Sequence, residues 1–499
     1  MDASPDLDPR RAPLELDPDE FRRLGHETVD AIADFLRTLP ERPVTTSESP
    51  TEIRAALGGG GLPERGAPPD ELLAEAARLL FDHSALNGHP RFFAYITSSA
   101  APIGALGDLL AAAVNPNVAG FPLAPLATEL EAQTIRWIAE LLGYPTDCGG
   151  LLVSGGNMAN FVGLLAARAA QTTWDVRAHG LAAGEAAPLR VYVSSETHTW
   201  IQKAADLFGL GTDAIRWIET DGEQRMLVPA LREQIAADRA DGALPLLVVG
   251  TAGTVSTGAV DPLDELADLC RHEGIWFHVD GAYGAPAAVL PDAPPNLAAL
   301  ARADSIAVDP HKWLYAPLEA GCVLVRDREK LRAAFTYRPP YYRFEEGADA
   351  PIQYVDFGPQ NSRGFRALKV WLVLRQAGRE GYARAIAQDV ELARELHRLA
   401  EADPELEAWT TRLSITTFRY VPRGVQAGTP AGEELVNRVN EELLGRLQSG
   451  GEVFLSNAVV RGAYLLRACV VNFRTGLRDV RAVPEIVKRV GAEVAAELR

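Results

Sequence analysis

Six short apolar runs, separated by helical stretches, constrain the fold of this chain more than any other feature. They are Leu151-Leu-Val, Val191-Tyr-Val, Leu246-Leu-Val-Val, Ile275-Trp-Phe-His-Val, Ser305-Ile-Ala-Val and Cys322-Val-Leu-Val. Between the third and the fourth lies a helix whose buried face is Leu263, Leu266, Ala267 and Cys270. Asp261 is its expected cap and Gly274 its expected stop. Near-continuous apolar strands alternating with helices imply an α/β fold with a largely parallel sheet covered on both faces. Ligands of such sheets bind at the carboxyl ends of the strands, so the residues after each run are the candidates for chemistry.

The chain has 499 residues, more than one hydrophobic core usually supports, and 47% of them are hydrophobic, which excludes wholesale disorder. A net charge of −18 argues against nucleic acid or an anionic membrane as the main partner. No apolar run approaches bilayer-spanning length, and Met1-Asp-Ala-Ser-Pro-Asp lacks the basic and apolar regions of a secretion signal. A cytoplasmic location is expected. Cys148, Cys270, Cys322 and Cys469 have neither metal-ligand nor C-x-x-C spacing, and the middle two read as small core residues.

Three regions are expected. In residues 1–85, an acidic tail runs to about residue 16, and a helix then opens with Asp17 as N-cap and Pro18 in its first turn. Its apolar stripe of Phe21, Leu24, Ile32, Phe35, Leu36 and Leu39 needs another surface, from this chain or a second subunit. Residues 86–375 form the large α/β domain. Residues 376–499 read as a smaller α+β domain, helical through Glu401, with strands at Leu413 to Tyr420, Val453 to Leu455 and Tyr464 to Phe473 and a last helix near Val483 to Leu498.

Four groups stand at the strand ends. Ser154-Gly-Gly-Asn-Met-Ala-Asn precedes a helix, where glycines and a helix N-terminus favour a phosphate. Asp280 ends a five-residue apolar run, a carboxylate that calls for a cation. Lys312 lies in Asp309-Pro-His-Lys-Trp, and His198 in Ser195-Glu-Thr-His-Thr-Trp. Taken singly these read as a turn, a helix cap, a structural salt bridge and a satisfied histidine. His272 and His278 read as structural. Together the four fit pyridoxal 5'-phosphate (PLP): a Schiff-base lysine, a carboxylate for the ring nitrogen, an imidazole on the ring face and a cradle for the phosphate.

With His89-Pro-Arg-Phe-Phe-Ala-Tyr, Gly250-Thr-Ala-Gly-Thr and His278-Val-Asp-Gly-Ala-Tyr added, the set resembles the PLP-dependent group II decarboxylases, most of all the aromatic-L-amino-acid decarboxylases. The resemblance runs from about residue 20 to the end, with the blocks in the family's order. It implies fold type I, the aspartate-aminotransferase-like architecture, with an N-terminal helical dimerisation segment. It also implies a homodimer with active sites at the subunit interface. Lys312 then carries the cofactor, Asp280 pairs with the ring nitrogen, and His198 and Ala282 flank the ring. Gly156, Asn157, Asp309 and His311 surround the phosphate, with Thr251 near the 3-hydroxyl. Two positions depart from the family: Gly281 replaces an expected alanine, and Asp309 stands where animal members tend to have asparagine. A carboxylate repels a phosphate, so Asp309 is also read as holding Lys312 or a backbone group.

The segment from Phe335 to Arg363 reads as a mobile, solvent-exposed lid. By resemblance it supplies the tyrosine that protonates the substrate carbon, Tyr341 ahead of its neighbour Tyr342; members with phenylalanine there resemble aldehyde synthases. The same resemblance implies an aromatic pocket in which Tyr95, Phe92 and Phe121 are the expected substrate contacts. An aromatic L-amino acid (tryptophan, phenylalanine, tyrosine or DOPA) is the expected substrate. The alternatives are an acidic or diamino acid, with Arg91 as a possible cation, or an aminotransferase gripping its substrate through Arg474.

Overall fold

The computed structural model describes residues 14–181, 187–337 and 350–498. Seven strands form the large sheet: β1 (Gly149–Val153), β2 (Leu189–Ser194), β3 (Ile215–Ile218), β4 (Leu244–Thr251), β5 (Trp276–Asp280), β6 (Ser305–Val308) and β7 (Gly321–Val325). Their spatial order is β1-β7-β6-β5-β4-β2-β3. All pairs among β2 to β6 and β3 are parallel, while β7 runs antiparallel to both β1 and β6. The chain between β6 and β7 is spent on the lysine loop and forms no crossover helix, so β7 returns antiparallel. Every residue of β1, β5, β6 and β7 is buried, as expected for strands covered on both faces.

β3 was not evident in the sequence. It is an edge strand with Arg216 and Trp217 turned outward, so it lacks a continuous apolar run. The helix after β4 spans Leu263–Glu273 and stops at Gly274 in the left-handed region (φ 67°), but Asp261 does not cap it. The Asp261 carboxylate turns inward and accepts from the N–H groups of Met226 and Thr251, both at 2.8 Å.

The second sheet contains β8 (Leu406–Arg412), β9 (Ile415–Tyr420), β10 (Ser456–Val460) and β11 (Ala463–Cys469), antiparallel in the order β10-β11-β9-β8. Two expectations need correction here. Leu413, at φ 49°, belongs to the turn between β8 and β9. Val453 to Leu455 forms no strand of this sheet; Phe454 instead bridges Phe92. One helix, Arg366–Glu401, packs on both β8 and β9 and on the Pro102–Val114 and Pro125–Leu141 helices, with a kink at Gly378 (φ 63°). The last helix spans Leu477–Glu497.

The first helix, Pro18–Thr38, is capped by Asp17, whose carboxylate accepts from the N–H groups of Asp19 and Glu20. Its stripe is half used within the chain. Leu24 and Leu39 are buried and Phe35 stacks on Phe81 at 4.4 Å, while Phe21 is 55% exposed and Ile32 41%. The first 13 residues of the expected tail lie outside the described residues.

Candidate active site

The carboxyl ends of β1, β2, β4, β5 and β6 open on one cavity. β1 leads into Gly155, whose φ of 142° suits only glycine, and then into the Gly156–Gln171 helix. That helix has no side-chain cap, so its first N–H groups lack helical partners and face the site with the positive end of the dipole. A Cβ on Gly156 would stand 2.6 Å from Asp309 Oδ2, so only glycine lets the two loops approach.

β5 delivers Asp280, 8% exposed. Its Oδ2 accepts from Trp200 Nε1 at 2.8 Å and its Oδ1 from the Ala282 N–H at 3.2 Å. β6 delivers Asp309 and Lys312, and Lys312 Nζ lies 3.1 Å from Asp309 Oδ2. Of the two readings of Asp309, the hold on Lys312 is the one seen. β4 ends at Thr251, fixed through its N–H by Asp261, whose own carboxyl is pushed up to about 6 by complete burial.

His198 follows β2, and its Nδ1 accepts from the Trp200 N–H at 3.3 Å. One part of the ring is open to solvent and the rest is packed. Desolvation holds its pKa below the ordinary histidine range, Lys312 acts the same way and Asp280 opposes both. His311 accepts from the Ala320 N–H through Nδ1 at 3.1 Å and turns Nε2 toward Asp309 at 3.7 Å; burial lowers its pKa. Beyond Asp280, Tyr283 stacks on Trp313 with ring centres 4.9 Å apart, and its hydroxyl meets Ser414 Oγ at 2.6 Å.

Eight residues expected from the sequence line the cavity together: Gly156, Asn157, His198, Thr251, Asp280, Ala282, Asp309 and Lys312. Ile96, Asn160, Glu196, Val255 and Tyr283 line it too and were not anticipated. His311 is found in an adjoining cavity with Arg474, which lies over the Phe473 ring at 4.6 Å. Phe92 does not line the site. It is buried against Val44, Ala94 and Phe454, whose ring it stacks at 5.1 Å, because the Phe454 bridge draws it inward. Phe121 does not line it within this chain either, and Tyr95 is exposed at φ 54°, one residue before Ile96.

The lid expectation needs a further correction, since Arg363 is buried rather than solvent-exposed. It pairs with Glu131 and donates to the carbonyls of Leu152 and Val118, both at 2.8 Å. Its guanidinium also lies 4.6 Å from the Tyr354 ring centre. The segment thus ends pinned to β1, two residues before Ser154. Tyr341 and Tyr342 lie outside the described residues.

Two buried polar atoms at the cavity, Thr251 Oγ1 and Asp309 Oδ1, have no hydrogen-bond partner among the described residues. With the free helix N–H groups, the carboxylate of Asp280 and the amine of Lys312, they fit a phosphate-bearing pyridine aldehyde. Comparison with known proteins agrees. The model of the pyridoxal-dependent decarboxylase conserved domain matches residues 54–421.

The chain belongs to the pyridoxal-dependent decarboxylase family.

This decarboxylase uses PLP and acts on an amino acid. It is 34% identical to an aromatic-L-amino-acid decarboxylase of Bacillus atrophaeus over 484 residues, covering 97% of this chain and 98% of the relative. It is also 34% identical to tyrosine decarboxylase 2 of Arabidopsis thaliana over 490 residues, covering 95% and 87%. The crystal structure of the Oryza sativa TDC with PLP and tryptamine superposes with a TM-score of 0.88 at 30% identity, covering 97% of this chain and 100% of that one. The fold is that of the PLP decarboxylases, fold type I.

Proposed function

We propose that this decarboxylase removes the α-carboxyl group of an aromatic L-amino acid as carbon dioxide and releases the amine. The observation that carries the choice of substrate is the charge of the cavity wall. Apart from Lys312 and His198 its charged side chains are Glu196, Asp280 and Asp309, while Ile96, Val255 and Tyr283 supply apolar surface. A substrate with a second carboxylate would meet like charge and no free arginine or lysine among the described lining residues. Relatives named for aromatic amino acids, tryptophan and tyrosine support the same reading.

When bound, PLP supplies an electron sink for the pair released as carbon dioxide leaves. Lys312 would hold the cofactor through its amine, the one primary amine among the described residues lining the cavity. Asp280 would keep a proton on the ring nitrogen, and His198 and Ala282 would pack against the ring. Gly156 and Asn157 present N–H groups to the phosphate, with His311 and Asp309 beyond them, and Thr251 Oγ1 is free for the ring hydroxyl. Tyr341, or its neighbour Tyr342, delivers the proton to the substrate carbon, with His198 as relay.

Assembly as a homodimer completes the site in this reading. The Pro102–Val114 helix exposes Leu106, Leu109, Leu110 and Val114, and Leu123 and Leu126, just after Phe121, are exposed as well. Covering them with a second copy brings Phe121, and Tyr95 nearby, toward a neighbouring cavity. The division into residues 1–85, 86–375 and 376–499 is kept as the domain plan. No helix of the described residues is long and apolar enough to cross a membrane, and with four free cysteines the enzyme is assigned to the cytoplasm.

The test is incubation of the holoenzyme with each of the twenty standard amino acids, DOPA and 2,4-diaminobutyrate while carbon dioxide is measured. Release from tryptophan, phenylalanine, tyrosine or DOPA is expected. Release only from glutamate or diaminobutyrate would overturn the assignment.

A further inference from the structure

Trp200 is fully buried at the start of the Trp200–Leu207 helix and touches the site twice. Its backbone N–H donates to His198 Nδ1 at 3.3 Å, and its indole Nε1 donates to Asp280 Oδ2 at 2.8 Å. One residue thus orients both the imidazole placed on the cofactor ring and the carboxylate placed at its nitrogen. Apart from Trp200, the Asp280 carboxylate is held by the Ala282 N–H at 3.2 Å. With one donor on each oxygen, the carboxylate plane is fixed. With the indole donor gone, the longer bond alone leaves it free to turn.

The indole is itself braced. His278 lies two residues before Asp280 on the same face of β5 and meets the Trp200 ring edge-on, centres 5.8 Å apart at 75°. Burial holds His278 down at about 4, so its imidazole is neutral and carries one proton. The neighbours fix where that proton sits. Asn160 Oδ1 can only accept, which puts the proton on Nε2 and leaves Nδ1 to accept from Ser305 Oγ–H at 2.7 Å, an oxygen that also accepts from Trp276 Nε1 at 2.8 Å. His278 Nε2–H then donates to Asn160 Oδ1 at 2.7 Å. Asn160 stands one turn into the helix whose first N–H groups face the phosphate position. Gly163 lets that helix close on the imidazole, since a Cβ there would lie 2.8 Å from His278 Cε1.

We propose that Trp200 is a positioning residue of the decarboxylase: through its indole N–H, braced by His278 and Asn160, it sets the Asp280 carboxylate in the orientation that engages the ring nitrogen of PLP. This rests on the reading of Asp280 given above. Trp200 reaches His198 through its backbone N–H, which a substitution keeps, so loss of the indole N–H should matter only to a ring that has a nitrogen for Asp280 to hold. A merely space-filling tryptophan would make no such distinction.

The experiment compares PLP with its analogue in which a C–H replaces the ring nitrogen, binding each to apoenzyme followed by visible circular dichroism. Wild type should bind PLP about tenfold or more tighter than the analogue, the scale of a hydrogen bond to a charged group. Trp200→Phe keeps most of the ring and removes the donor. Its preference for PLP should shrink to within about threefold, and kcat should fall about tenfold with KM nearly unchanged. A folded Trp200→Phe that keeps the wild-type preference and kcat overturns the proposal. If wild type shows no preference, the reading of Asp280 falls, and this proposal with it. Should Trp200→Phe fail to fold, wild type labelled with 15N at its eight indoles decides. One indole signal should move with PLP and not with the analogue; none doing so overturns the proposal.

Discussion

Lys312 Nζ and Asp309 Oδ2 stand 3.1 Å apart on the loop that leaves β6, with the Asp309 side chain 2% exposed and that of Lys312 22%. A carboxylate so removed from water depends on its cation. Lys312→Ala should therefore do two separable things. It should abolish the visible absorbance of bound cofactor and lower turnover on the order of 10³-fold or more. It should also lower the melting temperature, and adding Asp309→Asn should recover much of the stability but none of the activity. Calorimetry and absorbance spectra of the two variants check this.

Gly156→Ala should weaken the cofactor site without unfolding the protein. The new methyl would meet Asp309 Oδ2 at 2.6 Å and the Ala282 Cβ at 3.4 Å, so the two loops must part. PLP affinity should fall roughly tenfold, the scale of overpacking in a tight site. Titration of apoenzyme with PLP measures it, with far-ultraviolet circular dichroism expected to stay as in wild type.

Asp389, on the Arg366–Glu401 helix, accepts from Trp313 Nε1 at 2.9 Å and from the Tyr315 hydroxyl at 2.6 Å, beside the lysine loop. Burial outweighs these donors and pushes its carboxyl up to about 7 from the ordinary 3.8. A folded-state pKa above the unfolded one contributes stability that is present at low pH and lost as pH rises through the window between the two. Relative to Asp389→Asn, wild type should thus lose roughly 3 kcal/mol between about pH 4 and 7 and change little above it. Chemical denaturation of both proteins at several pH values reads the difference.

Glu131 and Arg363, each about 1% exposed in their side chains, form a buried pair. Glu131→Gln or Arg363→Met alone leaves an uncompensated group and should cost about 3–5 kcal/mol. The double change Glu131→Gln with Arg363→Met should cost much less than the sum. Urea denaturation of the three variants tests the coupling.

What the sequence revealed follows from what leaves a local trace. The strands β1, β2, β4, β5, β6 and β7 are buried on both faces and so appear as apolar runs, and the residues just after them are the site. β3 and β8 are half-exposed and mix polar with apolar residues, which hides them. Asp261 had the right type and position for a cap, and only the tertiary arrangement shows two more distant N–H groups winning its carboxylate. The family resemblance places Phe92 at the substrate, whereas its bridge to Phe454 buries it. The role of Trp200 leaves no local trace, because its contact with Asp280 spans 80 residues. Glu131 did leave a trace, a lone acid on an otherwise apolar helix face between Thr128 and Ile135, from which a buried cationic partner follows.

The Tyr283–Trp313 stack joins the chain that bears Asp280 to the chain that bears Lys312, and the Tyr283 hydroxyl anchors both to Ser414 beside the second sheet. The grips on opposite edges of the coenzyme are therefore set in a single rigid block. The chain around Lys312 cannot swing away without carrying the chain around Asp280 with it. Entry and exit of substrate then fall to chain that lies outside this block.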